Sequence, residues 1–160
     1  MEQKDGSKDS GHLTEEEKER YSRQMMIPSI GARGQDLLRR ARICIAGVGG
    51  LGSVSAYYLA AAGIGHLRLV DRDVVELSNL KRQILHWTDD LGICKTDSAS
   101  DKLARLNPDC IVEAIHTGID EKNVFEMADD CNVIIDALDN IKTRRLLNIA
   151  SARKSVPMIY

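Results

Sequence analysis

Short apolar, β-branched runs alternating with helical patterns predict an α/β fold with a doubly wound, mainly parallel sheet. Three observations carry this expectation. The run over residues 43–46 breaks into a glycine cluster, Gly47, Gly49, Gly50 and Gly52, and helical periodicity starts at once beyond it. Later apolar runs, at 66–70, 111–115 and 133–135, are separated by segments long enough to cross over between parallel neighbours. The 160 residues, 43% hydrophobic and 29% charged, suffice for one domain with a real core.

Residues 1–13 are expected to form a disordered tail, which leaves 14–160 as the domain. Thr14 and Glu17 stand at capping-box spacing and should open a helix running to about Met26. Pro28 and Gly31 punctuate, and an amphipathic stretch over 32–40 leads into a strand at 42–47. The helix after the glycines carries Leu51, Val54, Tyr58, Leu59 and Ala62 on one apolar stripe and is closed by Gly63. A strand at 66–70, a helix at 92–106 stopped by Asn107 and Pro108, and a strand at 111–115 follow. A short helix at 121–128, a strand at 133–135, a helix at 141–153 and the start of a strand at 157–160 complete the pattern. Because Tyr160 falls inside that strand, the sheet reads as truncated, with an unprotected edge and exposed apolar surface expected there. The expectation is the nucleotide-binding half of a longer protein, a shortened reading frame, or a subunit completed by another chain.

The formal net charge of −2 gives no general attraction to nucleic acid or an anionic membrane, so bound anions would need locally placed cations. No apolar run reaches about 18 residues and the chain opens on polar residues, so neither a membrane span nor a signal peptide is expected, and a cytoplasmic setting is. Cys44, Cys94, Cys110 and Cys131 are too far apart for a Cys-x-x-Cys pair. They read as reduced thiols with no zinc site, Cys44 and Cys131 being in or near core strands.

Gly47, Gly49 and Gly52 have Gly-x-Gly-x-x-Gly spacing, which lets backbone approach a phosphate at a helix N-terminus and makes the fold Rossmann-like. Ligands of such sheets sit beyond the carboxyl ends of the strands, which draws attention to 47–52, 71–73 and 139–140. Asp71, about 20 residues beyond the last glycine, suits ribose hydroxyls; a carboxylate capping a loop is the alternative. Lys81 and Arg82 beside Asn79, with Lys95 beyond, bring more positive charge than a pyrophosphate needs and about what a triphosphate does. Taken singly, each of these three cations reads more readily as merely solvated. Asp139, directly after a buried-type strand, could hold Mg²⁺ against phosphates, or it could cap the next helix with Asn140.

The ordered set Arg20-Tyr21-Ser22-Arg23-Gln24, Gly47 to Gly52, Asp71-x-Asp73, Ser78-Asn79-Leu80-Lys81-Arg82-Gln83, Gly92-x-x-Lys95 and Asp139-Asn140-x-x-x-Arg144 resembles the HesA/MoeB/ThiF family, relatives of the ubiquitin-activating enzymes. The resemblance runs over about residues 14–160. It implies an adenylyltransferase that uses ATP and Mg²⁺ to activate the C-terminal glycine of a ubiquitin-fold sulfur-carrier protein. By position, the ATP-binding residues would be Gly47, Gly49, Gly50, Gly52, Asp71, Asp73, Ser78, Asn79, Leu80, Lys81, Arg82, Lys95, Asp139 and Asn140. Arg82, Lys95, Asp139 and Arg23 would be the catalytic set, Asp139 serving the metal. Arg23 resembles the arginine that enters the nucleotide site from the other subunit of a homodimer; at i, i+4 from Glu19 it could instead form a surface ion pair. Family members usually continue with further strands, a loop that clamps the carrier tail and often two zinc-binding cysteine pairs, which these 160 residues lack.

The implied reaction needs no general base, since a carboxylate is already ionised at neutral pH, and no covalent nucleophile. Two other classes share features of the sequence. An NAD-dependent oxidoreductase would explain the glycine turn and Asp71 but neither the 79–83 cluster nor Asp139. A non-catalytic partner subunit or inactive nucleotide-binding fragment would explain the motifs without turnover.

Overall fold

The computed structural model describes residues 13–160. Its helices are α1 (Glu15–Arg20), α2 (Ser22–Met25), α3 (Gly31–Arg40), α4 (Gly50–Ala61), α5 (Lys95–Leu106), α6 (Val124–Met127) and α7 (Ile141–Lys154). The strands are β1 (Arg42–Ala46), β2 (His66–Asp71), β3 (Ile111–His116), β4 (Val133–Asp136) and β5 (Met158–Ile159). Single turns of 3₁₀ helix at Leu77–Asn79 and Thr88–Asp90 shape the long connection between β2 and α5.

The five strands are parallel in the order β3-β2-β1-β4-β5. The chain leaves β1 toward β2 on one side and returns to β4 on the other, so the order reverses between β1 and β4 and opens a crevice beyond their carboxyl ends. Side chains alternate across the sheet. Ile43, Ile45, Leu67 and Leu69 pack with Ala56, Ala60, Ala99 and Leu103 of α4 and α5. Cys44, Ala46, Val70 and Ile134 pack on the other face with Val124, Met127, Leu147 and Ala150 of α6 and α7. The doubly wound α/β prediction holds. The edge strand β5 leaves Ile159 and Tyr160 exposed. All four cysteines are free thiols, Cys44 fully buried in β1.

Several local expectations are corrected. The first helix does not run unbroken to Met26. It breaks at Tyr21, whose ring is buried and whose hydroxyl accepts a 2.8 Å bond from Asn107 Nδ2, so packing overrides helical continuity. Leu13, assigned to the tail, is buried; the rest of that tail lies outside the described residues. The helix expected from Gly92 starts at Lys95, because Gly92 takes φ +83° in a turn where it and Ile93 pair with Val75. α6 starts at Val124, later than expected, since the amides of Lys122 and Asn123 bond the Asp120 carboxylate.

The largest correction concerns α4. Its buried face is Gly52, Ser53, Ala56 and Ala60, whereas Leu51 and Tyr58 of the apolar stripe are 71% and 67% exposed. Close approach to the sheet selected small residues over hydrophobic ones. Among the described residues no helix is long and apolar enough to cross a membrane.

Candidate nucleotide-type site at the sheet switch point

The loop leaving β1 is held against the neighbouring strands. Gly47 donates its amide to Val70 O at 2.8 Å, and Ala137 donates to Ala46 O at 2.9 Å. Gly47 has φ +91°, and a Cβ there would lie 2.8 Å from Ala137 O, so both conformation and space require glycine. At Gly52 a Cβ would meet Gly47 O at 1.8 Å; this residue lets the helix sit on the loop that precedes it. Gly49 and Gly50 differ. The nearest atoms to a Cβ at either are 3.7 Å away, an ordinary contact, so the protein's own packing does not demand glycine.

Gly47, Gly49 and Gly50 line a cavity of about 630 Å³ over the crevice, within the range of small-molecule sites. Asp71, Asp73, Asn79, Arg82, Lys95, Asp139 and Asn140 also line it. Ten of the predicted positions thus meet at one wall-lined space. Gly52, Ser78, Leu80, Lys81 and Arg23 are not on its wall. Gly52 serves packing, Ser78 turns its hydroxyl toward Glu76, Leu80 is half-buried in the turn, and Lys81 is exposed. Arg23 is exposed on α2 and, among the described residues, makes no ion pair with Glu19.

The polar groups of the cavity are firmly placed. Asp71 accepts the Val48 amide on Oδ2 at 2.7 Å and the Asp73 amide on Oδ1 at 2.9 Å, each oxygen keeping lone-pair capacity. The Lys95 ammonium, its side chain 7% exposed, pairs with Asp73 at 3.1 Å. Asn79 is buried and ties its Oδ1 to the Glu76 amide, while Arg82 donates to Ser78 O at 3.0 Å. Asn140, not Asp139, caps α7, accepting the Thr143 amide at 2.9 Å. Asp139 is exposed and has no ion-pair partner among the described residues. No group of three or more His, Cys, Asp or Glu among the described residues is arranged to hold a metal ion. A single free carboxylate beside the cavity nevertheless fits Mg²⁺, which commonly takes one or two carboxylates and completes its shell with phosphate oxygens and water.

Sequence reasoning missed several residues of this region. Asp136, buried at the end of β4, accepts the Leu138 amide at 3.0 Å and pairs with Arg144 at 3.2 Å, holding the turn that carries Asp139. Its position past an apolar strand was a usable signal. Gln83 lines the cavity behind Gly49, almost fully buried, with Oε1 lacking a hydrogen-bond partner. Thr117 and Gly118, just past β3, and Thr143, in the first turn of α7, also line the cavity, and nothing local in the sequence marks them. His86 is buried below the glycine loop; burial pushes its imidazole below the usual histidine range, against the opposing bond to Val48.

The model of the family described as ThiF matches residues 21–160. The SAMP-activating enzyme E1 of Haloferax volcanii is 42% identical over 142 residues, covering 89% of this chain and 53% of the relative. The sulfur carrier protein adenylyltransferase of Thermus thermophilus is 41% identical over 147 residues, covering 92% and 54%. The crystal structure of the E. coli tRNA N6-threonylcarbamoyladenosine dehydratase TcdA in complex with ATP superposes with a TM-score of 0.85 at 28% identity, over 91% of this chain and 60% of that one. The chain spans about half the length of the curated relatives it matches.

Proposed function

The chain belongs to the ThiF family, and from that premise we propose that it supplies the ATP-binding part, residues 14–160, of an adenylyltransferase acting on the C-terminal glycine of a ubiquitin-like sulfur-carrier protein. One observation carries the reading. Gly49 and Gly50 line the cavity although the protein leaves room for a Cβ at both, so their bareness serves a ligand that approaches the backbone. The names of the relatives, a carrier-activating E1 and a sulfur carrier protein adenylyltransferase, support the substrate class.

In this reading the free lone pairs of Asp71 accept ribose hydroxyls, and the glycine loop meets the phosphates. The carrier carboxylate, already ionised, attacks the α-phosphorus; a new P–O bond forms as the bond to the departing pyrophosphate breaks, leaving an acyl-adenylate. Arg82 and Lys95 stabilise charge moving onto the leaving group, and Asn79 helps to fix the phosphates. Asp139 would hold Mg²⁺, which when bound neutralises phosphate charge. Catalysis is then positioning and electrostatics, each such donor being worth on the order of 10²–10³ in rate. A homodimer sharing Arg23 and a cytoplasmic setting belong to the same reading.

Titration calorimetry tests the ligand class. ATP with Mg²⁺ is expected to bind more tightly than NAD, and the reverse order would favour an oxidoreductase. In the full-length protein, carrier-dependent ATP–pyrophosphate exchange is expected; ATP binding without exchange would favour a non-catalytic partner subunit.

A further inference from the structure

Val48 lies between two conformationally permissive glycines, yet both of its backbone polar groups are clamped. Its amide donates to Asp71 Oδ2 at 2.7 Å, and its carbonyl stands 3.0 Å from His86 Nε2. A carbonyl only accepts, so Nε2 carries a proton, and in the neutral imidazole that burial favours Nδ1 is left as an acceptor. Nδ1 lies 2.9 Å from Ser98 Oγ, whose hydroxyl must therefore donate to it. The Ser98 oxygen in turn receives Lys102 Nζ at 3.2 Å. The ammonium also donates to Ser98 O at 3.2 Å and to Asp90 Oδ2 at 2.6 Å, so each of its protons has a partner. Asp90 is fixed by the Trp87 amide, and Lys102 lies over the Trp87 ring at 4.7 Å. With the imidazole neutral, this network runs without a break from Asp90 through Lys102, Ser98 and His86 to the glycine loop.

We propose that His86 is a positioning residue for the nucleotide loop: as the neutral Nε2–H tautomer it holds the Val48 carbonyl inside the protein and thereby aims the Gly49 amide at the cavity. The peptide plane supplies the link. In a trans peptide the carbonyl of one residue and the amide hydrogen of the next point in opposite directions, and the chain contains no cis bond among the described residues. A Val48 carbonyl bonded inward to buried His86 therefore turns the Gly49 amide outward. Gly49 lines the cavity, and its amide has no hydrogen-bond partner among the described residues. That donor is ready for an anionic ligand. The proposal rests on the nucleotide reading of the site, whereas the clamp itself can be measured without nucleotide.

The test uses the full-length protein and two variants of it. Glutamine can return a donor at the ε position, while asparagine reaches only toward Ser98. Imidazole ¹⁵N–¹H correlation spectra at neutral pH are expected to show the Nε2–H tautomer at His86; the Nδ1–H form or an imidazolium would overturn the proposal. In nucleotide-free protein, His86→Asn is expected to shift the Val48 carbonyl ¹³C and Gly49 amide ¹⁵N resonances as the bond to Val48 is lost, and His86→Gln to return both toward their wild-type positions. By calorimetry with ATP and Mg²⁺, His86→Asn should bind about tenfold more weakly and His86→Gln within about threefold of wild type, the loss expected for one neutral hydrogen bond. Wild-type affinity and unshifted Val48 and Gly49 resonances in a folded His86→Asn protein would overturn it. If that variant does not fold, His86→Gln decides, since it keeps a donor for the Val48 carbonyl while giving up the imidazole: ATP affinity within about threefold of wild type with the Val48 carbonyl shift retained supports the clamp, and a loss of about tenfold or more with that shift retained overturns it. Failure of the wild-type protein to bind ATP would refute the nucleotide reading, and the tautomer and resonance data would still decide the clamp.

Discussion

The cations and carboxylates of the cavity divide by how much of the fold depends on them. Lys95 is buried and ion-paired with Asp73, so replacing it disturbs packing as well as charge. Arg82 reaches only the Ser78 carbonyl, and Asp139 has no ion-pair partner among the described residues. Both are exposed. In the full-length protein, Arg82→Ala and Asp139→Ala are therefore expected to lower carrier-dependent ATP–pyrophosphate exchange by 10²-fold or more, on the order of one lost transition-state donor. Thermal melting should change little, because exposed sites away from buried networks cost about 0.5 kcal/mol or less. Exchange near the wild-type rate in either variant would remove that residue from the mechanism. These positions were legible in the sequence because each follows a strand directly or lies in one compact polar cluster. Gln83 stood inside the quoted 78–83 run without a role of its own, whereas His86, Thr117 and Thr143 were not legible, since their part depends on which distant elements they meet: His86 touches Val48, and Thr117 reaches the cavity only because β3 lies beside β2.

Helix α4 shows where hydrophobic periodicity misleads. Of the predicted stripe, Leu51, Val54 and Tyr58 face outward while Leu59 packs against the core, and Gly52, Ser53, Ala56 and Ala60 form the buried face. The helix N-terminus must lie on the glycine loop, and only small side chains allow that distance. The spacing that marks the phosphate-type turn thus also marks the buried face of the helix, a signal that a hydrophobicity pattern does not weigh. Two substitutions separate these duties. Gly52→Ala puts a methyl 1.8 Å from Gly47 O and should cost about 1–3 kcal/mol or more, read as a lowered melting temperature. Gly49→Ala meets nothing closer than 3.7 Å, so it should melt near wild type yet bind ATP at least several-fold more weakly. Normal ATP affinity in folded Gly49→Ala protein would mean that no ligand approaches that backbone.

At the scale of the whole molecule, the doubly wound parallel sheet was legible because alternating strand and helix patterns allow few topologies; the order β3-β2-β1-β4-β5 comes from the structure, and its reversal between β1 and β4 fixes where the crevice opens. What surrounds that crevice in an assembly was not legible from one chain. The resemblance in the sequence leads to the expectation that Arg23 enters the nucleotide site of a second subunit. In this fold it is exposed on α2, is absent from the cavity wall, and leaves Glu19 unpaired, so the local ion pair does not account for it. Such a pair would in any case contribute only about 0.3–0.5 kcal/mol. The exposed side chains of Leu51 and Tyr58 on α4 and of Met26 beside Arg23 give a second copy apolar surface to cover. If two full-length subunits share their sites, Arg23→Ala and Asp139→Ala proteins should each be inactive alone, since each lacks one component of both sites. Mixed dimers would place both defects in one site and leave the other intact. After subunit exchange between equal amounts, half of the dimers are mixed with one working site each, so about a quarter of wild-type exchange activity should return. No recovery, with subunit exchange demonstrated independently, would show that Arg23 acts within its own chain or not at all.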